Sequence, residues 1–225
     1  DMLLMGMNGE LNDGQHHKVQ RLRENGARLL TLVNDILDIS RIQAKRVELV
    51  QKPFAIRVLY DRIASQIGVL AAEKNLEFTV SMDSDVPDVI GGDEKRIEQI
   101  IVNLLSNAIK FTESGSVSLR SSANLAENTW SIKVSDTGVG IPPHAHEIIF
   151  EEFRQLDGSA SRAYKGSGLG LAISRNLVRI MGGTIQVESD LGLGSTFTVT
   201  LPLIEETDSQ DNVAILETAL RPIGG

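Results

Sequence analysis

The 225-residue sequence contains no cysteine. Disulfides, thiolate nucleophiles and thiolate metal sites are therefore excluded, and the absence fits a reducing compartment. Aromatic residues are scarce, at 4%, which removes the stacking platforms that single-stranded nucleic acid requires. Positive charge is not in excess either: 22 lysines and arginines against 30 aspartates and glutamates leave a net charge of -8. A general basic face for a phosphate backbone is thus lacking, and no nucleic-acid partner is expected. No apolar run approaches the ~20 residues of a membrane helix, so no membrane segment is expected and the chain reads as cytoplasmic, with membrane attachment of a longer protein left open. What is present is a hydrophobic content of 41%, enough for one core-bearing domain and a smaller element beside it.

The smaller element comes first. Val19, Leu22, Gly26, Leu29, Val33, Ile36 and Ser40 recur at alternating spacings of three and four within a proline-free stretch from Gln15 to Arg46. That is the seam of a long helix, and Leu30, Leu32, Leu37 and Ile39 widen it to the stripe a four-helix bundle uses. "MNGELNDG" before it reads as a turn with Gly9 and Gly14 as breakers, and "DMLLMG" as the last turns of a preceding helix, so an upstream segment is expected. One helix and the tail of another cannot bury this stripe, which points to a homodimer through the N-terminal helices. From about residue 48 the texture changes. Helices are expected over 56–75 and 93–112, with Asp93 capping the second, and over the stretch "GLGLAISRNLVRIMGG"; strands are expected in "LEFTVSM", "SVSLRSS", "TWSIKVSD", "TIQVES" and "STFTVTLPL". "DVPDVIGGD" reads as a turn-rich connection. The organisation is a partial helical domain over 1–47, an α+β domain of helices on a mixed sheet over 48–204, and a linker or tail over 205–225.

Four stretches carry chemical possibilities. In "NLLSNAIKFT", Asn103 and Asn107 share a helix face with Lys110 one turn on, so two amide oxygens and a cation could meet Mg²⁺ and phosphates; a solvated stripe is an equally good reading of the same residues. "VSDTGVGIPP" ends a strand in Asp136 followed by Gly138 and Gly140, a carboxylate able to accept from an exocyclic amine, or an ordinary turn. "KGSGLGLAI" sets Gly166, Gly168 and Gly170 at a helix mouth, where N–H groups favour anions. It matches neither the Walker loop nor the dinucleotide fingerprint. "DLGLGSTF" places Gly192 and Gly194 before the last strand, as any hairpin could.

Their order is more specific than any one of them. The sequence resembles the ATP-binding domain of sensor histidine kinases, relatives of the gyrase and mismatch-repair ATPases. "NLLSNAIKFT" matches the family's N box, "DTGVGIP" its first glycine box, "IFEEFRQLD" its F box, "GSGLGLAI" its second glycine box and "GLGSTF" its last, while "NDILDISRIQAKRVEL" resembles the end of its second dimerisation helix. The resemblance implies an α/β sandwich ATP-binding domain of the gyrase and histidine kinase type, preceded by a helical-hairpin dimerisation element. It implies ATP and Mg²⁺ as cofactors, with Asn103 and Asn107 holding the metal and Asn103 and Lys110 serving catalysis. Phe111 would flank the nucleotide, Asp136 would read the adenine amino group, and Gly138 and Gly140 would leave room for the ring. A lid over 141–165 would be pinned by Phe150 and Phe153. Backbone from Gly166 through Ser167, Gly168, Leu169 and Gly170 would cradle phosphates, and Thr196 would sit under the adenine. The phosphoryl group would pass to a histidine and on to a response-regulator receiver domain.

The chain departs from the family at Gln155, where an arginine is frequent; Arg154 is adjacent and Arg162 is a candidate substitute. Lys165 stands where a glycine is common. The family's acceptor stretch, Ser-His-Glu-hydrophobic-Arg-x-Pro, is missing, so the acceptor is expected to precede Asp1. His16 and His17, adjacent on a helix, point about 100° apart and read as solvated helix-start residues. His146-Glu147 copies the acceptor pair but falls in the lid, and His144 with His146 makes at best a weak surface metal pair. A gyrase-type ATPase would need a carboxylate base where Asn103 stands, and the long first helix argues against a serine kinase of the anti-sigma type. An ATP-binding dimerisation module without transfer activity is the alternative.

Overall fold

The computed structural model describes residues 2–7, 9–44, 46–154 and 167–204. The chain divides into two compact units, residues 1–47 and 48–225. In the first, α1 runs Asp13–Gln43. Its start is set by a capping box: Asn12 Oδ1 accepts the Gln15 N–H at 2.9 Å, and the Gln15 side chain accepts the Asn12 N–H at 3.1 Å. Gly14 therefore lies inside the first turn and is not a breaker, because the reciprocal cap satisfies the N–H groups that a break would have left open. Met2–Gly6 forms successive turns and not a continuous helix. Leu22, Leu29, Leu30, Val33, Ile36 and Leu37 lie exposed along α1, the apolar seam read from the sequence.

The second unit is a two-layer α+β sandwich. Its sheet has the order β2–β4–β5–β7–β6, where β2 is Glu77–Met82, β4 Ser116–Asn124, β5 Thr129–Asp136, β6 Thr184–Asp190 and β7 Gly194–Pro202. The sheet is mixed as expected: β2 runs parallel to β4, and every other pair is antiparallel. The helices α2 (Ile56–Glu73), α3 (Glu94–Phe111) and α4 (Gly170–Ile180) pack on it. Each helix buries one stripe, Ile63 and Ile67 from α2, Ile100, Ile101, Leu104 and Leu105 from α3, and Ile173 and Leu177 from α4. They meet Trp130, Ile132 and Val134 of β5 and Phe197, Val199 and Leu201 of β7, which alternate with hydroxyl-bearing or charged residues on the other face. Tyr60 of α2 and Ser121 of β4 share a hydrogen bond inside this core.

Two short strands escaped the sequence reading. β1 (Lys52–Ala55) pairs antiparallel with β3 (Val89–Gly92), which lies within the supposed turn "DVPDVIGGD". Four-residue strands leave no period to read. The Gly91 N–H also donates to the Ile204 carbonyl at 2.7 Å, so the end of the sandwich is tied to the same small sheet. Between β5 and α4 the described residues include two 3₁₀ turns, Pro143–Ala145 and Ile148–Phe150.

Candidate functional site

The C-terminal half of α3 is the centre on which the motifs converge. Its register puts Leu104, Leu105, Ala108 and Ile109 into the core and leaves Asn103, Asn107 and Lys110 half-buried on the adjoining face. The Asn103 amide donates to Ser174 Oγ of α4 at 2.8 Å. Gly170, the first residue of α4, packs directly on that amide, since a methyl there would overlap it. The NH₂ group of Asn103 thus joins α3 to α4. The side chain of Asn107, one turn on, makes no hydrogen bond with another described residue, and Asn103 Oδ1 accepts none from one, so both amide oxygens are open to a ligand. Burial pushes the Lys110 ammonium below the usual lysine range, and its Nζ lies 4.7 Å from the Phe111 ring centroid. Phe111 itself is 37% exposed.

The loop after β5 closes on the end of this helix. The Val139 N–H donates to the Phe111 carbonyl at 3.3 Å. Asp136 Oδ1 accepts the Gly138 N–H at 2.8 Å. Burial raises the Asp136 carboxyl above the ordinary range, opposed by the N–H groups of Gly138 and Ser195. A side chain at Gly138 would meet the Phe111 carbonyl and the Asp136 carboxylate, while one at Gly140, whose φ is +70°, would overlap the Asp190 backbone. These glycines permit close approach of chain to chain.

The mouth of α4 completes the arrangement. Gly168 has a φ of +70° and packs on the backbone of Phe153 and Arg154. Among the described residues no side chain caps the start of α4, which leaves its first N–H groups available to an anion. Leu169 is fully buried and its N–H lies 3.3 Å from Ser167 Oγ, so it can act only through its backbone. Phe150 is buried in an edge contact with Phe197 at 6.3 Å, with Arg175 over its ring. Phe153, by contrast, is 66% exposed, and its N–H donates to the Gly168 carbonyl at 3.1 Å. Gln155, Arg162, Lys165 and Gly166 lie outside the described residues.

The model of the histidine kinase-, DNA gyrase B- and HSP90-like ATPases matches residues 92–205. That span begins just before α3 and takes in every feature above. The chain belongs to this family. It is 39% identical over 191 residues to the signal transduction histidine-protein kinase BarA of Escherichia coli, covering 84% of this chain and 21% of that protein. It is 41% identical over 212 residues to the circadian input-output histidine kinase CikA of Synechococcus elongatus, covering 91% of this chain and 28% of that one. Among solved structures it resembles full-length ShkA in complex with AMPPNP, with a TM-score of 0.78 and 38% identity over 92% of this chain and 42% of that one. It also resembles the nucleotide-free catalytic domain of ThkA, with a TM-score of 0.58 and 27% identity over 68% of this chain and 97% of that one. The chain therefore spans about a quarter of BarA and CikA.

Within this histidine kinase-type ATPase domain one assignment needs correction. The β5–β7 register pairs Asp136 with Ser195 and Ser135 with Thr196. Alternate side chains of a strand point to opposite faces, so Thr196 lies on the far side of the sheet from Asp136, its hydroxyl donating to Ser135 Oγ at 2.9 Å. Ser195, buried and beside Asp136, holds the place assigned to Thr196. Its Oγ is 3.0 Å from Ser189 Oγ, which in turn accepts the Ile141 N–H at 2.7 Å. The signal was in the sequence: counting by twos back from Leu201, Val199 and Phe197 reaches Ser195. Ser174, which holds Asn103, had no such signal.

The histidines stand apart from this centre in kind. His16 and His17 occupy the exposed first turn of α1. His146 Nε2 lies 3.0 Å from the Ile141 carbonyl and so donates to it. Among the described residues no group of three or more histidines and carboxylates could hold a metal, and no helix is long and apolar enough to cross a membrane.

Proposed function

We propose that this chain is the catalytic portion of a sensor histidine kinase, binding Mg²⁺·ATP and delivering the γ-phosphoryl group to a histidine. The observation that carries the reading is the convergence around one helix end of open amide oxygens, a half-buried lysine, a half-buried carboxylate and a helix start that no described side chain caps. Asp136 would accept from the adenine amino group, with Ser195 beside it. The start of α4 would meet the phosphates, and Lys110 would neutralise charge on them, more strongly for being half-buried. The donor set fits a hard cation through oxygen: Asn107 and Asn103 would supply amide oxygens, and the phosphates and water the rest. When bound, Mg²⁺ would neutralise charge on the transferring group. Asn103 would supply its oxygen while its NH₂ group holds α3 against α4.

In the transfer, a P–N bond to the imidazole would form as the P–O bond to ADP breaks, ADP leaving with the electron pair. The imidazole proton would go to an acidic residue beside the acceptor. That acceptor is none of the four histidines of this chain, and relay to a receiver aspartate would follow. The exposed apolar seam of α1 supports a homodimer through that helix. A second reading, an ATP-binding dimerisation module without transfer, is favoured for the chain by itself, because its histidines are exposed or already bonded.

The test is incubation of the purified chain with Mg²⁺ and γ-labelled ATP, with retained nucleotide and covalent label scored separately. Retained nucleotide without label is the expected result. A folded chain that retains no nucleotide overturns the proposal, and acid-labile, alkali-stable label on the chain overturns the exclusion of its histidines.

A further inference from the structure

The last carbonyls of an α-helix have no partner within the helix. At the end of α3 every one is accounted for. The Ala108 carbonyl accepts from the Thr112 N–H at 3.1 Å and its hydroxyl at 2.7 Å. The Phe111 carbonyl accepts from Val139. The two between them, on Ile109 and Lys110, are bonded by a single group, the Lys74 ammonium, at 2.8 and 3.1 Å. Its third neighbour is the Thr112 carbonyl, at 3.3 Å. Lys74 follows α2 directly and Asn75, with a φ of +55°, turns the chain into β2, so Lys74 reaches the end of α3 from a different part of the chain.

We propose that Lys74 is a positioning residue for phosphate binding, an inference that rests on the nucleotide reading above. It acts in two ways. Two of its N–H donors fix the peptide groups on either side of Lys110, and so the direction in which that side chain leaves the helix. Its charge also offsets the negative end of the helix dipole, which would otherwise oppose phosphates gathered by Lys110 and Asn107. Asp136, at the adenine end, sits on β5, and none of these three Lys74 bonds goes to that strand.

The consequence is a loss that depends on phosphates. In Lys74→Met the affinity for Mg²⁺·ATP should fall about tenfold, as expected for removing charge-assisted bonds, while affinity for adenosine, read by ligand-observed NMR, should stay within about twofold. Lys74→Arg, which keeps charge and donors, should recover most of the loss. If Lys74→Met does not fold, Lys74→Gln, which keeps a donor without the charge, takes its place in the same comparison. Equal weakening of ATP and adenosine, or no change in either, overturns the inference. Failure of the unaltered chain to bind ATP instead overturns the nucleotide reading, and this inference with it.

Discussion

The same substitution, glycine to alanine, should have opposite signs at two helical positions of this domain. Gly68 lies inside α2 with nothing within 4 Å of where a methyl would stand. There alanine restricts the unfolded chain and favours helix, so Gly68→Ala should stabilise by about 0.5–1 kcal/mol. Gly170 opens α4, and its methyl would overlap the Asn103 amide. Relief requires either moving Asn103 off Ser174, which forfeits a hydrogen bond of about 0.5–1.5 kcal/mol, or pushing α4 outward, an overpacking cost of about 1–3 kcal/mol. After the helix gain is subtracted, Gly170→Ala should destabilise by up to about 2 kcal/mol. In a domain of this size each kcal/mol moves Tm by about 2–4 °C. The double variant Asn103→Ala/Gly170→Ala should be more stable than the sum of the single effects by about 1 kcal/mol, because truncation vacates the space. Urea unfolding followed by circular dichroism, with m unchanged, is the assay. Two glycine variants that shift in the same direction, or a cycle without coupling, would refute the packing argument.

Ser195→Val should weaken ATP binding at least about tenfold, whereas Thr196→Val should leave it within about twofold, since the two side chains lie on opposite sheet faces; titration calorimetry decides, and the reverse order would sink the reassignment. Asp136→Asn should impair nucleotide binding yet raise the stability of the free chain at neutral pH. The sign follows from burial raising the folded-state carboxyl: its contribution is intact below the unfolded carboxylate range and is lost as pH rises through the higher folded value. The stability gap between variant and parent should therefore close as pH falls, and a gap that widens in acid would contradict it. Asp93 caps α3 through the Arg96 N–H at 3.2 Å and also accepts the Val50 N–H at 3.0 Å. Asp93→Ala should cost about 1–3 kcal/mol and Asp93→Ser, which still caps, about half as much; equal midpoints in thermal unfolding would show that the cap contributes nothing.

Periodicity made most of this fold readable. The helix period placed α1, α2 and α3, and strict alternation placed β5 and β7 over Thr129–Asp136 and Gly194–Pro202. The order of the glycine-rich and asparagine-rich stretches was enough to reach the family. What that order could not convey was the role of each residue within its box. Asn103 and Asn107 are equivalent in sequence, four apart on one helix, and only the approach of α4 separates them. Gly138, Gly140 and Gly170 are small for one local reason each, a particular carbonyl or amide from another element standing where a methyl would be.

The sequence by itself determined the elements, their amphipathic faces and the identity of the ATPase domain, because these depend on spacing between neighbours along the chain. Tertiary structure decided which groups share a face or an end. The strand register set Ser195, and not Thr196, beside Asp136, and the fold carried Lys74 across to the open carbonyls of α3. Such choices depend on contacts between residues tens of positions apart, and no local period records them.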